Sequence, residues 1–168
     1  MGSDYELETP ERVTVGTIGE VGQREFYLQA RQGTQLVTVK VEKQQVRALA
    51  ESLGRLLQDL PRPGELPADD ALDLEHFEEV HFVVGTLAVA YDVNADRVVL
   101  LMEELVGGDE ADADEVRLSM SREQAAALAI RGTQLVESGR PPCPLCGFPL
   151  DPRGHACPRT NGHRPPLT

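Results

Sequence analysis

A chain of 168 residues with 28 acidic and 16 basic side chains carries a formal charge of −12, which excludes the cationic surface that general binding to nucleic acid or an anionic membrane needs. Its length and 40% apolar content allow one sizeable core and a small appendage. The longest apolar run, 82–91, is about half the ~20 residues of a membrane-spanning helix, and no apolar signal segment opens the chain.

Residues 1–10 are polar and read as a mobile leader. The stretch 12–18 then alternates, with Val13 and Val15 on one face. Alternation returns in 25–31 through Phe26, Leu28 and Ala30, and in 36–41 through Val37, Val39 and Val41, with a tight turn at Gln32-Gly33 between. Period-two patterning with short connections predicts an antiparallel three-strand meander. Over 42–60 the period changes. Val46, Leu49, Ala50, Leu53, Leu56, Leu57 and Leu60 fall on one helical stripe, which Pro61-Arg62-Pro63-Gly64 ends. Residues 61–75 read as a linker. A second series follows: strands over 80–91 and 97–106, an acidic excursion over 107–115, and a third strand carrying Val116, Leu118 and Met120. Ser121 opens a helix, with Gln124 placed for a capping box. Its stripe is Ala125, Leu128, Ala129, Leu135 and Val136, and Pro141-Pro142 lies beyond its end.

The two series match. Val15-Gly16-Thr17-Ile18 corresponds to Val84-Gly85-Thr86-Leu87 at an offset of 69, and the helix stripes correspond at an offset of 79, with Gly132 standing where Leu53 stands. The acidic excursion accounts for the difference. The pattern predicts an α+β fold built from a duplicated β-β-β-α unit, 11–60 and 76–139, because neither unit alone could cover its sheet. The expected product is a six-strand antiparallel sheet, or two packed sheets, with both helices on one side.

The stretch 141–164 is different in kind. All three cysteines lie there, as Cys143-Pro-Leu-Cys146-Gly and Cys157-Pro. An odd, clustered count does not suit a secreted disulfide framework and points to a reducing cytoplasm and a metal. Cys-x-x-Cys before a glycine aims two thiolates at one point, the geometry of a zinc knuckle. In the second half-knuckle the expected partner position holds Thr160, so a histidine must complete a tetrahedral zinc site. His155, two residues before Cys157 on an extended strand, and His163, beyond the Asn161-Gly162 turn, both satisfy the geometry. A closed Cys3His set predicts a structural zinc rather than a catalytic one. From Arg140 onward four arginines face one acid, Asp151, a local charge of +3 that leaves −15 on the rest. A basic tail of this kind would dock on the acidic body or serve as a separate contact surface.

The repeat-bearing body followed by Cys-Pro-Leu-Cys-Gly-x-Pro-Leu-Asp-Pro-x-Gly-His-x-Cys-Pro-Arg-x-Asn-Gly resembles an uncharacterised actinobacterial repeat-protein family of unknown function, over nearly the whole chain. The resemblance implies a soluble protein with a zinc-ribbon-like tail. It also implies neighbours that resemble histidine phosphatases and phosphatidylinositol kinases. The family's tail pattern, as the resemblance implies it, takes in His155 and does not extend to His163.

Other groups carry weaker signals. Asp73 to His81 concentrates acids with His76 and His81, without metal-ligand spacing, and reads as a solvated linker whose two histidines would sit on opposite faces of a strand. Glu103-Glu104 diverge on a strand. The excursion 107–115 lacks the spacing of a calcium loop. A glycine within a strand, as at Gly16 and Gly85, marks a bulge or close packing. The functional expectation is a cytoplasmic protein-binding or adaptor module with a structural zinc. An enzyme with its site at the repeat interface and a nucleic-acid-associated zinc-ribbon protein are the alternatives.

Overall fold

The computed structural model describes residues 2–20, 22–68, 72–108 and 112–137. Strands β1 (Asp4–Leu7), β2 (Arg12–Ile18), β3 (Glu25–Gln32) and β4 (Gln35–Val41) lead into α1 (Lys43–Gln58). Strands β5 (Phe82–Asp92), β6 (Arg97–Glu104) and β7 (Glu115–Met120) lead into α2 (Arg122–Glu137). The α+β expectation holds. The strands form one seven-stranded sheet in the order β1-β7-β6-β5-β4-β3-β2.

Alternation decides the faces. Val15, Leu28 and Val39 stand in register across β2, β3 and β4, and Leu100 and Leu118 across β6 and β7. All are at most 2% exposed, and with Leu53 and Leu128 of the helices they form a single core. The two meanders are antiparallel internally, as the short connections require. They join through a parallel contact of only two pairs, Val39 with Phe82 and Lys40 with Val83. The sheet is therefore mixed rather than antiparallel throughout. A helix stands between β4 and β5, and such a crossover returns the chain parallel to the strand it left.

Each helix packs against the other and against the first strand of the opposite run, α1 on β5 and α2 on β2. Gly132 explains the close approach. A Cβ there would lie 3.3 Å from Cγ1 of Val46 and 3.5 Å from Cβ of Ala50. At the start of α2 the backbone N–H of Ser121 donates to Gln124 Oε1 at 3.0 Å, and the N–H of Gln124 donates to Ser121 Oγ at 3.1 Å. This is the capping box that the sequence predicts. The start of α1 repeats it with Glu42 and Gln45, whose backbone–side-chain bond is 2.8 Å.

The N-terminal stretch corrects the expectation of a mobile leader. Asp4–Leu7 is a strand, parallel to β7 with Leu7 opposite Leu118, and Leu7 is 1% exposed. Four residues with two acids give no usable period, so this strand owes its existence to the free edge of β7. Its exit is held by side chains: Gln32 Oε1 accepts from the N–H of Thr9 at 2.9 Å, and Glu11 accepts from that of Gly33 at 2.9 Å.

The paired glycines play different parts. Gly85 sits at a break in the β5–β6 register, where an added Cβ would meet Leu105 Cα at 2.9 Å. Backbone cannot yield as a side-chain tip can. Gly85→Val is expected to destabilise by about 1–3 kcal/mol, read as a lower urea midpoint at unchanged m. A midpoint equal to wild type would show that the bulge does not need the glycine.

Candidate functional site

The outer face of β2–β4 carries a row of buried polar side chains. Thr14, Gln29 and Thr38 lie opposite one another across the three strands and are 1–2% exposed. What buries them is the segment 72–77, which runs over the sheet as a strap. Thr14 Oγ1 donates to the carbonyl of Leu72. Gln29 Nε2 donates to Thr38 Oγ1 at 3.1 Å and to the carbonyl of Glu75 at 3.1 Å, while its Oε1 accepts from the N–H of Glu75 at 2.8 Å. One side-chain amide thus pairs with a backbone as a neighbouring strand would.

Charge and shape complete the seat. Arg31 Nε donates to both carboxylate oxygens of Glu75, at 2.9 and 2.8 Å, and an Arg12 terminal nitrogen donates to the carbonyl of Asp73 at 2.6 Å. The hydrogen bond to Glu75 raises the already high pKa of Arg31. Leu74 fills the space above Gly16, where an added Cβ would come within 2.5 Å of its Cγ. The Phe77 ring packs on Tyr27 with centroids 5.0 Å apart. Beside them Glu25 accepts from the Tyr27 hydroxyl at 2.8 Å and from Lys40 at 3.1 Å. The hydroxyl first, then the ammonium, hold its carboxyl below the usual range. This arrangement recognises an extended acidic segment. It is more than the solvated linker that the sequence suggests, because backbone pairing by a buried glutamine leaves no signature in composition.

The two histidines fall just outside strand β5, not on opposite faces of it. His76 is exposed, with Nε2 3.9 Å from the exposed Glu78 carboxylate. His81 donates its backbone N–H to Thr38 at 2.8 Å, accepts from the Thr38 N–H at Nδ1 at 3.3 Å, and packs edge-on against Tyr5 with centroids 5.0 Å apart. They line a hollow of about 380 Å³ with Thr38, Phe77, Glu78 and Glu79. Glu103 is exposed and accepts from Thr86 Oγ1 at 3.4 Å. Glu104 turns away to bond the N–H of Asp114 at 3.1 Å. Among the described residues no three His, Cys, Asp or Glu side chains are grouped to hold a metal, and no helix is long and apolar enough to cross a membrane.

The candidate ligands Cys143, Cys146, Cys157, His155 and His163, with the whole of 141–164, lie outside the described residues. A family model described as protein of unknown function, DUF3090, matches residues 5–157. The chain belongs to the DUF3090 family. The DUF3090 match begins in β1, spans both β-β-β-α runs and ends on the third cysteine, short of His163. Comparison with curated proteins and with solved structures gives no match.

Proposed function

We propose that this DUF3090 protein is a protein-binding adaptor: a duplicated β-β-β-α body bearing a tail organised by one structural zinc. Three thiolates and one imidazole suit tetrahedral zinc and leave no position open for substrate. The observation that carries the reading is the ligand spacing of Cys143, Cys146 and Cys157. The family match supports His155 as the fourth ligand, since it includes that residue and stops before His163. The duplication is supported by the two equivalent capping arrangements and by the exchange of helices between runs, which makes each run depend on the other. The partner is a protein that reads the tail, in a reducing cytoplasm.

Metal analysis of the full chain tests the centre. Wild type and His163→Ala are expected to carry one zinc per chain, and His155→Ala to lose most of it. Retention in His155→Ala with loss in His163→Ala would move the fourth ligand, and metal-free wild type would end the zinc reading. Co-purification from cells with Cys143→Ser beside wild type tests the adaptor role. Partners held equally by both would place the contact on the body.

A further inference from the structure

The strap 72–77 lies on a polar face, whereas a permanent cover is ordinarily seated on apolar side chains. Under it the register sets three rows across β2, β3 and β4: Arg12, Arg31 and Leu36; Thr14, Gln29 and Thr38; Gly16, Tyr27 and Lys40. Leu36 and the Tyr27 ring are the only large apolar groups in these rows. The inner face of the same strands is Val13, Val15, Phe26, Leu28, Val37 and Val39, all buried. A buried polar row specifies what sits on it more than it adds stability, and once uncovered its groups bond water instead. Three arginines converge on the acids of the strap. Arg31 bonds Glu75, Arg12 Nε lies 4.0 Å from the same carboxylate, and a terminal nitrogen of Arg131, from α2, lies 3.5 Å from Asp73. The strap is also a flap by connectivity. Thirteen residues, 59–71, join it to α1 and four, 78–81, join it to β5. The short arm is pinned by the His81 N–H on the Thr38 carbonyl, so it serves as the pivot.

We propose that the outer face of β2–β4 is a binding site for an extended acidic segment of another protein, kept closed by residues 72–77 until that segment displaces them. The face defines its ligand. Gln29 pairs through its side-chain amide with one residue's N–H and carbonyl, so the segment is extended there. Arg31 makes that residue an acid. The hollow above Gly16 takes a leucine one position earlier, as it takes Leu74, and the Tyr27 ring takes an aromatic two positions later, as it takes Phe77. A further acid before the leucine comes within reach of Arg12 and Arg131. The pattern is Asp-Leu-Glu-x-aromatic. Lys40 is outside it, because Glu25 holds its ammonium at 3.1 Å. This contact is on the body, apart from the tail, and needs no zinc. A site closed at rest binds more weakly by the fraction of time it is open. Loosening the strap therefore raises affinity without altering the face. Each ion pair alone contributes little, and salt weakens their sum.

The probe is a fluorescent synthetic peptide of residues 72–79. The receptor is the full chain, as wild type or with Leu74→Ser and Glu75→Gln together, both on the strap. Anisotropy is expected to show binding about ten-fold or more tighter to the double variant than to wild type. Adding Gln29→Ala or Arg31→Met should abolish it, and a peptide of the same composition in scrambled order should not bind. Exchange protection at the amides of Leu28 and Val39 shows that the sheet stays folded in each variant. In isotopically labelled wild type, excess peptide should speed exchange at the Glu75 amide and leave those two amides protected. No binding to the folded double variant would overturn the proposal, as would binding indifferent to Gln29 and Arg31. So would a Glu75 amide that exchanges only together with Leu28 and Val39, since the site would then open only on unfolding. A wild-type dimer with exchanged straps would give the face to a second copy and overturn the foreign ligand.

Discussion

Gln29→Ala is expected to lower the unfolding free energy by about 3 kcal/mol and to release the strap without disturbing the strands beneath it. The side chain is 2% exposed and bonds the hydroxyl of Thr38 and both backbone groups of Glu75. Removing it orphans three polar groups. Each left buried costs roughly 1–3 kcal/mol, but the strap can lift and let water reach them, which keeps the total near the lower end. Urea unfolding measures the loss. Hydrogen exchange locates it, with the Glu75 amide losing protection while those of Leu28 and Val39 keep theirs. Arg31→Met is the comparison. Its ion pair with Glu75 is about a quarter exposed on both sides, so solvent screening limits its contribution to under ~1 kcal/mol. A larger loss from Arg31 than from Gln29 would mean that charge, not backbone pairing, seats the strap. No loss from either would mean that 72–77 is not held at all.

The same contrast separates what the sequence makes legible from what it hides. The strands β2–β4 and β6–β7 and both helices follow from period, because a half-buried strand must alternate and a packed helix must carry a stripe. Val39, Leu100 and Leu128 announce themselves in that way. β1 does not, since Tyr5 and Leu7 become a pattern only when the edge of β7 lies beside them. The parallel join of β4 to β5 escapes for a related reason: two residue pairs are too few to shape composition, and the crossover that imposes them is a property of the path. Gly16 and Gly85 are recognisable as close-packed positions, yet sequence cannot say that one faces the Leu74 side chain and the other the Leu105 backbone. The strap is the largest omission. Leu72, Leu74 and Phe77 stand among acids and prolines that signal a loop, and the groups that hold them, Thr14, Gln29 and Thr38, look like solvent-facing strand residues. Three polar residues in one register row were the available signal. The proposed metal ligands are the reverse case, a reading that rests on spacing alone and on no feature of the fold.

Removing the proposed zinc from the full chain is expected to unfold the cysteine-bearing segment it would organise and to leave the cooperative unfolding of the body almost where it was. Residues 138–168 offer few apolar side chains beyond Leu145, Phe148, Leu150 and Leu167, too little to offset about 1–2 kcal/mol of backbone entropy per ordered residue. A structural zinc would couple its own binding to the folding of the segment that bears its ligands, as small zinc-finger peptides do. The body has its own core in Val39, Leu53, Leu100 and Leu128 and has no need of it. The body's melting temperature is therefore expected to shift by only a few degrees. Acidification acts in the same direction as a chelator, because thiolate ligands must be deprotonated to bind. Calorimetry with and without chelator, beside exchange protection of the tail amides, reads both halves of the expectation. Loss of the body's transition together with the tail would make the zinc part of the main core, and a tail whose amides stay protected without metal would show that zinc does not order it.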